Sequence, residues 1–538
     1  MIENIIGKGT WIDKVANMLI LREKKLNRNM DSIKVESGLG ASGIPHIGSM
    51  GDAVRAYGIS LALQNLGYNS ELIAYSDDMD GLRKIPAGFP PWLKDHIAKP
   101  VSHIQDPFGD CHNSYGAHMS SLLLDGLDRV NIKYIFKSAT EVYKSGILID
   151  AIDQILTKSE YLGQKISEFV GQNKFLNTLP YFPLCKNCGK LYVAHAYKYM
   201  PKNKKVLYEC SGIKIGNKEI IGCGYKGEAN IGKAEGKLAW KVEFAARWKI
   251  FDVRFEAYGK DIMDSVKIND WICEEILNFH HPLHIKYEMF LDKGGKKISK
   301  SAGNVLTPQK WMRYGTPQSL LLLLFKRITG TRHVGVEDIP SLMDEYDLYE
   351  DLYFGKLKET NQSKRIKLSG IYEYINHLNP PKNNSNHIPY RLLVQQTSLF
   401  EGKDQIDKVY ERLQKYKLIS EKSNDIIEKI ELAFNWSNDI LANEDNHYIS
   451  LDIEQKKALR DLITTLRSYL IKENSNMANA NDIQTLIYET SKKHEIEPKN
   501  FFRLLYQILI NSDRGPKLGN YLVDLGIDRT CGIIEKYL

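Results

Sequence analysis

The strongest constraint on the fold is a strand–turn–helix–strand pattern near the N-terminus. Residues 33–37 (IKVES) alternate as a short strand does, and SGLGASGIPHIGSM at 37–50 supplies a turn of small residues. Apolar residues at positions 50, 53, 54, 57 and 61 then recur at helical spacing, and the apolar run ELIAY (71–75) suits a strand buried on both faces. These segments predict a βαβ unit, and therefore a parallel sheet.

Two polar features follow the strands of this unit. His46 lies at the end of the first turn, and the acidic cluster Ser76–Asp80 follows the second strand. In open α/β sheets, ligands bind beyond the carboxyl ends of the strands, so both features occupy candidate ligand positions. Taken alone, the histidine is more typical of an ordinary loop, and the acids are more typical of a helix N-cap with solvated neighbours.

Chain length and composition limit the remaining choices. A chain of 538 residues is too long for one core and predicts two to four domains. The net charge of +7 permits a polyanionic partner without requiring one. No apolar run is long enough for a membrane helix and the N-terminus lacks a secretory pattern, so we expect a cytoplasmic protein that has no membrane partner.

A second chemical motif lies in a glycine-bounded loop. Lys297-Ile298-Ser299-Lys300-Ser301 is preceded by Gly294-Gly295 and followed by Gly303. Two lysines three residues apart in such a loop can close over a triphosphate and neutralise its oxygens. In isolation, the same sequence is also typical of a solvated lysine loop.

The two motifs together carry a resemblance to a known family. HIGS at 46–49 and KISKS at 297–301 resemble the paired HIGH and KMSKS signatures of class I aminoacyl-tRNA synthetases. The sequence between and around them is similar to the archaeal-type class I lysyl-tRNA synthetases over roughly residues 30–355. The blocks that carry this similarity are 36–49, 76–86, 106–109, 114–118, 237–248, 255–261, 287–304 and 343–355.

The resemblance implies a two-step reaction with three substrates. L-Lysine and ATP, with Mg²⁺ on the ATP phosphates, give lysyl-adenylate and pyrophosphate. The lysyl group then moves to the 2′-hydroxyl of the terminal adenosine of tRNA(Lys). The implied catalytic residues are His46, Gly48, Lys297 and Lys300, and the implied ATP-binding residues are His46, Ile47, Gly48, Ser49, Lys297, Ser299, Lys300 and Ser301.

The residue types of the implied ATP site suit nucleotide binding for physical reasons. An imidazole at a helix N-terminus can donate to a phosphate where the helix dipole already favours anions. A glycine at position 48 leaves space for the nucleotide. The second histidine of the HIGH signature is Ser49 here, which keeps a hydroxyl donor and starts helices well.

The amino-acid pocket must hold an ammonium group. A carboxylate at a strand end does this, because a substrate without the charge would leave the carboxylate desolvated and unpaired. The candidates are Asp77, Asp78 and Asp80, with Gly38 and Trp240 as pocket walls. Arg83 and Lys84 are close in sequence and can neutralise part of this charge, and Trp240 is equally typical of ordinary core packing.

One departure from the family pattern concerns the segment GKD at 259–261. Relatives usually continue with histidine, whereas this chain has Ile262. Isoleucine neither donates a hydrogen bond nor titrates, so any ATP contact expected from that histidine is absent or replaced.

Four of the seven cysteines form a candidate zinc site. Cys185 and Cys188 have the spacing of a zinc knuckle, and Gly216-Asn217 can turn a hairpin that brings Cys210 beside Cys223. A structural Zn²⁺ would support a small insertion that has little core of its own. An alternative is that these cysteines are free buried thiols. In a metal site, His195 is a possible substitute for one of the cysteine ligands. The other three cysteines, at 111, 273 and 531, are interpreted as ordinary buried residues.

The expected architecture is an α/β Rossmann-type catalytic domain with a zinc-containing insertion, followed by an all-α anticodon-binding domain. The predicted boundaries are 1–138 and 236–345 for the catalytic halves, 139–235 for the insertion and 346–538 for the helical domain. We expect a monomer. Two alternatives stay open: a class I synthetase for another amino acid such as glutamate, and a catalytically altered protein that only binds tRNA.

The KISKS loop generates a direct test. Replacing Lys300 by alanine removes the charge that is expected to stabilise the departing pyrophosphate, so adenylate formation should slow by orders of magnitude. Lysine affinity should hardly change, because the loop contacts ATP. Single-turnover adenylate formation and equilibrium lysine binding measure the two effects, and unchanged turnover would remove the role assigned to this loop.

Overall fold

The structure is a computed structural model that describes residues 5–215, 218–295, 305–398, 405–419, 423–440, 450–473, 479–510 and 517–538. The chain divides into two compact units. The first unit contains Met1–Lys310, Leu320–Gly335 and Leu352–Lys382, and the second contains Trp311–Ser319, Val336–Asp351 and Asn383–Leu538. The domain boundaries drawn from the sequence stay predictions.

Helices and strands alternate in the first half of the chain, and helices follow one another in the second. The strands are β1 (Ile33–Leu39), β2 (Ser70–Ser76), β3 (Ile135–Ser138), β4 (Tyr181–Pro183), β5 (Ala194–Met200), β6 (Lys205–Cys210), β7 (Gly212–Ile215), β8 (Lys218–Ile221), β9 (Lys226–Asn230), β10 (Gly236–Leu238), β11 (Val253–Gly259), β12 (Leu283–Tyr287), β13 (Phe290–Leu291) and β14 (Arg332–His333). The α-helices are α1 (Trp11–Lys25), α2 (Ile47–Asn65), α3 (Tyr115–Arg129), α4 (Ala139–Lys144), α5 (Ile149–Thr157), α6 (Ser159–Val170), α7 (Lys174–Asn177), α8 (Trp240–Phe251), α9 (Met263–Glu275), α10 (Pro308–Met312), α11 (Pro317–Phe325), α12 (Ile339–Tyr353), α13 (Gln362–Ile375), α14 (Tyr390–Thr397), α15 (Ile406–Lys415), α16 (Asn424–Asp439), α17 (Ile453–Glu473), α18 (Ala480–Lys493), α19 (Pro498–Ile510), α20 (Leu518–Leu525) and α21 (Ile527–Glu535).

A five-stranded parallel sheet forms the centre of the first unit, which confirms the predicted parallel α/β core. The strand order is β12-β11-β1-β2-β3, and every neighbouring pair is parallel. The chain runs outward from β1 to β2 and β3 and later returns to β11 on the other side of β1. This reversal creates a crevice at the carboxyl ends of β1 and β11, which is where such sheets bind ligands.

Helix α2 fills the predicted position between β1 and β2. His46 is its N-cap, with an extended backbone (φ −122°, ψ 169°), and the helix continues to Asn65. The apolar positions expected to face the core are buried: Met50, Ala53, Val54, Tyr57 and Leu61. Burial of this helix against the sheet therefore fixes the place where its first turn begins.

The segment between the two halves of the sheet has its own small fold. Helices α4–α7 come first, and a three-stranded antiparallel sheet in the order β5-β6-β9 follows. Strands β7 and β8 form the antiparallel hairpin predicted between Cys210 and Cys223. The turn residues Gly216 and Asn217 lie outside the described residues.

Within the described residues of the second unit, all regular structure is helical. This agrees with the predicted helical C-terminal region. Among the described residues of the whole chain, we find no helix with the length and apolar character needed to cross a membrane.

Candidate active site

Two adjoining cavities open at the carboxyl ends of the parallel strands. The first cavity lies at the start of α2, and its lining residues are His46, Gly48, Ser49, Asp52, Arg55, Gly259, Asp261, Tyr287, Glu288, Met289 and Phe290. The second cavity lies at the ends of β1 and β11 and is lined by Gly38, Gly40, Asp52, Asp77, Trp240, Phe244, Arg247, Trp248, Glu256, Ala257, Tyr258, Gly259, Asp261, Ile262, Val266, His284 and Tyr287. Four residues line both cavities, so the two cavities share a wall.

The imidazole of His46 is fixed by the helix that it caps. Its Nδ1 accepts a hydrogen bond from the backbone N–H of Ser49 at 3.2 Å, so the neutral ring carries its proton on Nε2. A Cβ atom at Gly48 would lie 2.8 Å from the Nδ1 and Cε1 of His46. Gly48 therefore makes room for the imidazole, whereas the sequence analysis assigned that room to the nucleotide.

The KISKS motif lies outside the described residues, with Lys297, Ser299, Lys300 and Ser301. The chain on both sides of it is described. Before the motif, Phe290 lines the first cavity; after it, the carbonyl of Leu306 accepts a hydrogen bond from the N–H of Ile47 at 2.9 Å. The segment containing the second signature thus starts and ends beside the first signature.

Arg247 of α8 is the charged centre of the second cavity. Its guanidinium forms an ion pair with Glu36 of β1 and lies 3.2 Å from the Oε1 of Glu256 on β11. Its Nη1 is 3.7 Å from the Oδ1 of Asp77, which follows β2. Burial raises the pKa values of Glu36 and Asp77, and the positive charge of Arg247 opposes that rise.

Three carboxyl groups face one guanidinium in this cluster. Among the residues that the structure describes, the buried Oδ1 of Asp77 has no hydrogen-bond donor. Arg247 also packs against the ring of Tyr75, 4.5 Å from its centroid, so it is held on several sides. A cation that enters the cavity would favour the ionised form of these carboxyl groups.

Only one of the three predicted acids lines a cavity. Asp78 accepts hydrogen bonds from the Ser138 hydroxyl and the Thr140 N–H, at 2.5 and 2.8 Å, and so fixes the start of α4. Asp80 forms an ion pair with the buried Lys237. Both groups are therefore engaged in contacts that hold the scaffold, whereas Asp77 lines the second cavity together with Gly38 and Trp240.

The sequence does not reveal the main cations that balance these acids. Arg83 takes part, because burial lowers its pKa but Tyr192, Asp80 and Asp77 raise it overall. Lys237 and Arg247 form the ion pairs, with Lys237 also 2.9 Å from Glu243. Lys237 and Arg247 both belong to the block KLAWKVEFAARW, the first in β10 and the second in α8. The missed signal was a basic residue within an otherwise apolar, buried pattern.

The four predicted cysteines come together in the insertion. The sulfurs of Cys185 and Cys223 are 3.6 Å apart, and those of Cys188 and Cys210 are 3.8 Å apart. All four sulfurs lie within 4.8 Å of one another. A tetrahedral zinc site with Zn–S bonds of about 2.3 Å has sulfurs about 3.8 Å apart, so this group fits a metal ion.

A second group with metal-binding geometry was not predicted. It joins Asp106, Cys111, His112 and His118, with His112 and His118 Nδ1 atoms 3.2 Å apart and the Asp106 carboxylate 2.9 Å from His118. Cys111 is exposed, so its interpretation as an ordinary buried residue was wrong; Cys273 and Cys531 are buried as expected. The signal was present in the sequence as DPFGDCHNSYGAH at 106–118, where a cysteine and two histidines follow Asp106.

Comparison with known proteins agrees with this geometry. The family model for class I tRNA synthetases (K) matches residues 9–377, and the chain is 52% identical over 533 residues to a lysine–tRNA ligase of Cenarchaeum symbiosum (strain A). That alignment covers 99% of each chain. The chain belongs to the class I tRNA synthetase family.

A more distant relative also aligns over the full length. A lysine–tRNA ligase of Rickettsia bellii (strain OSU 85-389) is 30% identical over 544 residues, which cover all of this chain and 99% of the relative. Among solved structures, a glutamate-tRNA synthetase from Elizabethkingia anophelis covers 94% of this synthetase and 99% of its own chain, at 13% identity and a TM-score of 0.35.

Proposed function

We propose that this synthetase is a lysine–tRNA ligase that activates L-lysine with ATP and transfers it to the 2′-hydroxyl of tRNA(Lys). The observation that carries the proposal is the anionic second cavity beside the first turn of α2. An ammonium substrate and an anionic nucleotide would there be held in adjoining spaces, each by groups of opposite charge.

The first cavity suits ATP. The N-terminus of α2 favours phosphate, and the Nε2–H of His46 can donate to one of its oxygens. Lys297 and Lys300 would close over the pyrophosphate from the loop that starts and ends beside this cavity. Mg²⁺ would accompany ATP and be bound chiefly by the phosphates.

The second cavity suits lysine. Asp77 and Glu256 on its wall complement an ammonium group, and Trp240 and Trp248 provide aromatic surface for the aliphatic chain. A glutamate side chain would bring another carboxylate toward these acids and leave the buried charge uncompensated. The charge of the cavity therefore favours lysine over the glutamate alternative.

The two metal groups would hold zinc as structural sites. Four thiolates, and a set of one carboxylate, one thiolate and two imidazoles, are both ligand sets that zinc accepts. Hydrogen bonds from the Phe108 N–H, His118 and Cys111 outweigh the effect of burial and lower the pKa of Asp106 to about 2, so this carboxylate is ionised for metal binding. We further propose that the helical C-terminal region binds the anticodon and that the enzyme works in the cytoplasm as a monomer.

The activity is tested by amino-acid-dependent ATP–pyrophosphate exchange. The full-length protein is assayed with each of the twenty amino acids in turn, with tRNA present because some class I enzymes require it for activation. Lysine should give the highest exchange, and glutamate should give none above background. Greater exchange with another amino acid, or none with lysine, would contradict the proposed function.

Lysine affinity should depend on pH. The pKa of Asp77 is raised by burial, and a protonated Asp77 contributes no negative charge to the cavity. Binding of a cation should therefore strengthen as pH rises from about 6 to about 8, because deprotonation restores the charge. Quenching of the fluorescence of Trp240 and Trp248 measures the lysine dissociation constant across this range.

The pH effect has matched controls. Asp77→Asn should weaken lysine binding about tenfold or more at high pH and flatten the pH profile. Asp150→Asn changes an exposed aspartate of α5 that lines neither cavity and should leave the profile unchanged. A wild-type profile retained by Asp77→Asn would show that this carboxylate does not hold the ammonium group.

Metal analysis tests the zinc proposal. The purified protein should contain about two zinc ions per chain. Cys188→Ser should remove one, His118→Ala should remove the other, and Cys273→Ser should remove neither because that thiol lies outside both groups. Loss of less than one zinc in either of the first two variants, measured with the fold intact by circular dichroism, would contradict the corresponding site.

A further inference from the structure

An arginine from the interior of α2 reaches the wall of the first cavity. Arg55 is only 1% exposed, yet it lines this cavity together with His46 and Tyr287. Helical side chains lean toward the N-terminus of their helix, so the guanidinium lies back along α2 over the preceding turn. A Cβ atom on Gly51 would be 3.1 Å from its Nη1. The glycine at position 51 therefore leaves the space that this guanidinium fills.

The guanidinium of Arg55 has few partners for a buried charge. Its Nη1 is 3.4 Å from the Oδ1 of Asp52, and its Nε has no hydrogen-bond acceptor among the residues that the structure describes. Its guanidinium carbon lies 4.2 Å from the ring centroid of Tyr287, so an aromatic ring supports the cation. Desolvation raises the pKa of Asp52 to about 7, although the charge of Arg55 and a hydrogen bond from Tyr287 oppose the rise. This carboxyl group therefore compensates Arg55 only in part near neutral pH.

A second guanidinium lies close to the same wall. Arg332 of β14 packs on Phe290, 4.5 Å from the ring centroid, and Arg55 is 5.9 Å from that centroid. Arg332 donates a hydrogen bond to the carbonyl of Leu323, and no carboxylate oxygen of the described residues lies within 4.0 Å of it. Burial and the charges of Arg55 and Arg327 lower the pKa of Arg332 to about 9. The two guanidiniums thus repel each other, and an anion beside Phe290 would relieve this repulsion.

The reaction assigned to this site produces such an anion. When an adenylate forms, a carboxylate oxygen of the amino acid bonds to the α-phosphorus of ATP. The bond from that phosphorus to the bridging oxygen breaks, and pyrophosphate leaves with the electron pair. Negative charge therefore grows on the β-phosphate, and a guanidinium that is already in place stabilises it through paired N–H donors.

The amino-acid carboxylate is the other anion that this reaction brings to the two cavities. Asp52 and Tyr287 line both cavities, whereas Arg55 and Phe290 belong to the lining of the first alone. The first cavity is the one assigned to ATP, because it opens at the N-terminus of α2. The position of Arg55 therefore favours a phosphate partner over the carboxylate.

We propose that Arg55 is a catalytic residue that binds the β- and γ-phosphates of ATP and the departing pyrophosphate, an inference that rests on the proposed function. Arg332 is a positioning residue, which adds positive charge at Phe290 without touching the ligand. Arg55 differs from Lys297 and Lys300 in that it belongs to a core helix, so the packing of that helix sets the place of its charge.

The test measures the binding of inorganic pyrophosphate, with Mg²⁺ present, to the full-length protein by isothermal titration calorimetry. Arg55→Gln should weaken this binding about 10–100-fold, which is the loss expected for one charge-assisted contact to phosphate. ATP–pyrophosphate exchange at saturating lysine should fall by a similar factor, because the same contact forms in the transition state. Lysine affinity, measured by tryptophan fluorescence, should stay within about twofold of the wild type and so show that the variant is folded.

Two further variants separate the position of the guanidinium from its charge. Gly51→Ala keeps every charge and favours the helix, but its Cβ displaces the guanidinium, so it should weaken pyrophosphate binding about 2–5-fold. Arg55→Lys keeps the charge without the paired donors, so its affinity for pyrophosphate should lie between those of the wild type and Arg55→Gln.

A matched control removes a different arginine of the same region. Arg327 is exposed, contributes to the positive charge around Arg332 and lines neither cavity. Solvent and salt screen an exposed charge, so Arg327→Gln should bind pyrophosphate within about twofold of the wild type. This control distinguishes a direct contact of Arg55 from a general effect of positive charge.

The outcomes separate this inference from the proposed function. Unchanged pyrophosphate binding in Arg55→Gln, or an equal loss in Arg327→Gln, overturns the role of Arg55 and leaves lysine activation in place. Weaker lysine binding with unchanged pyrophosphate binding would assign Arg55 to the amino-acid carboxylate, which also overturns the proposal. If pyrophosphate binding falls as expected but lysine supports no exchange, Arg55 is supported and the failure belongs to the proposed function.

Discussion

The buried guanidinium of Arg247 is the interaction on which the site depends. It links β1, β11, the end of β2 and helix α8 through Glu36, Glu256 and Asp77. Removing one partner of a buried ion pair commonly costs about 3–5 kcal/mol, because the remaining charge stays desolvated. Arg247 therefore both holds the strand ends together and places the carboxylates of Asp77 and Glu256 on the cavity wall. The fold and the charge of this end of the sheet thus depend on the same residue.

The second constraint is the start of α2. His46 caps the helix, Gly48 leaves space for its ring, and the N–H of Ile47 is bound by Leu306. The helix terminus therefore has one backbone donor committed to the chain that leaves the KISKS segment. This contact ties the start of α2 to Leu306, which follows the second signature closely in the chain.

Sequence reasoning succeeded where local patterns determine structure. The βαβ unit around α2 and the hairpin between Cys210 and Cys223 follow from periodicity and turn residues, and both are present. It failed where the contacts of a side chain come from residues that are far away in the sequence. Nothing near Asp80 in the sequence shows that Lys237 will neutralise it, and the approach of His118 to Asp106 depends on how a loop folds back onto α3.

Ile262 takes the place of the histidine that the family pattern has after GKD. His284 lines the same cavity, but it does not replace the imidazole expected after GKD. Its Nδ1 lies 2.9 Å from the carbonyl of Glu256 and its Nε2 lies 2.9 Å from Asp270, so both nitrogens face acceptors of the protein itself. The ring packs on Trp248 instead. His284 is therefore held by β11 and α9, while Asp77 and Glu256 line the same cavity.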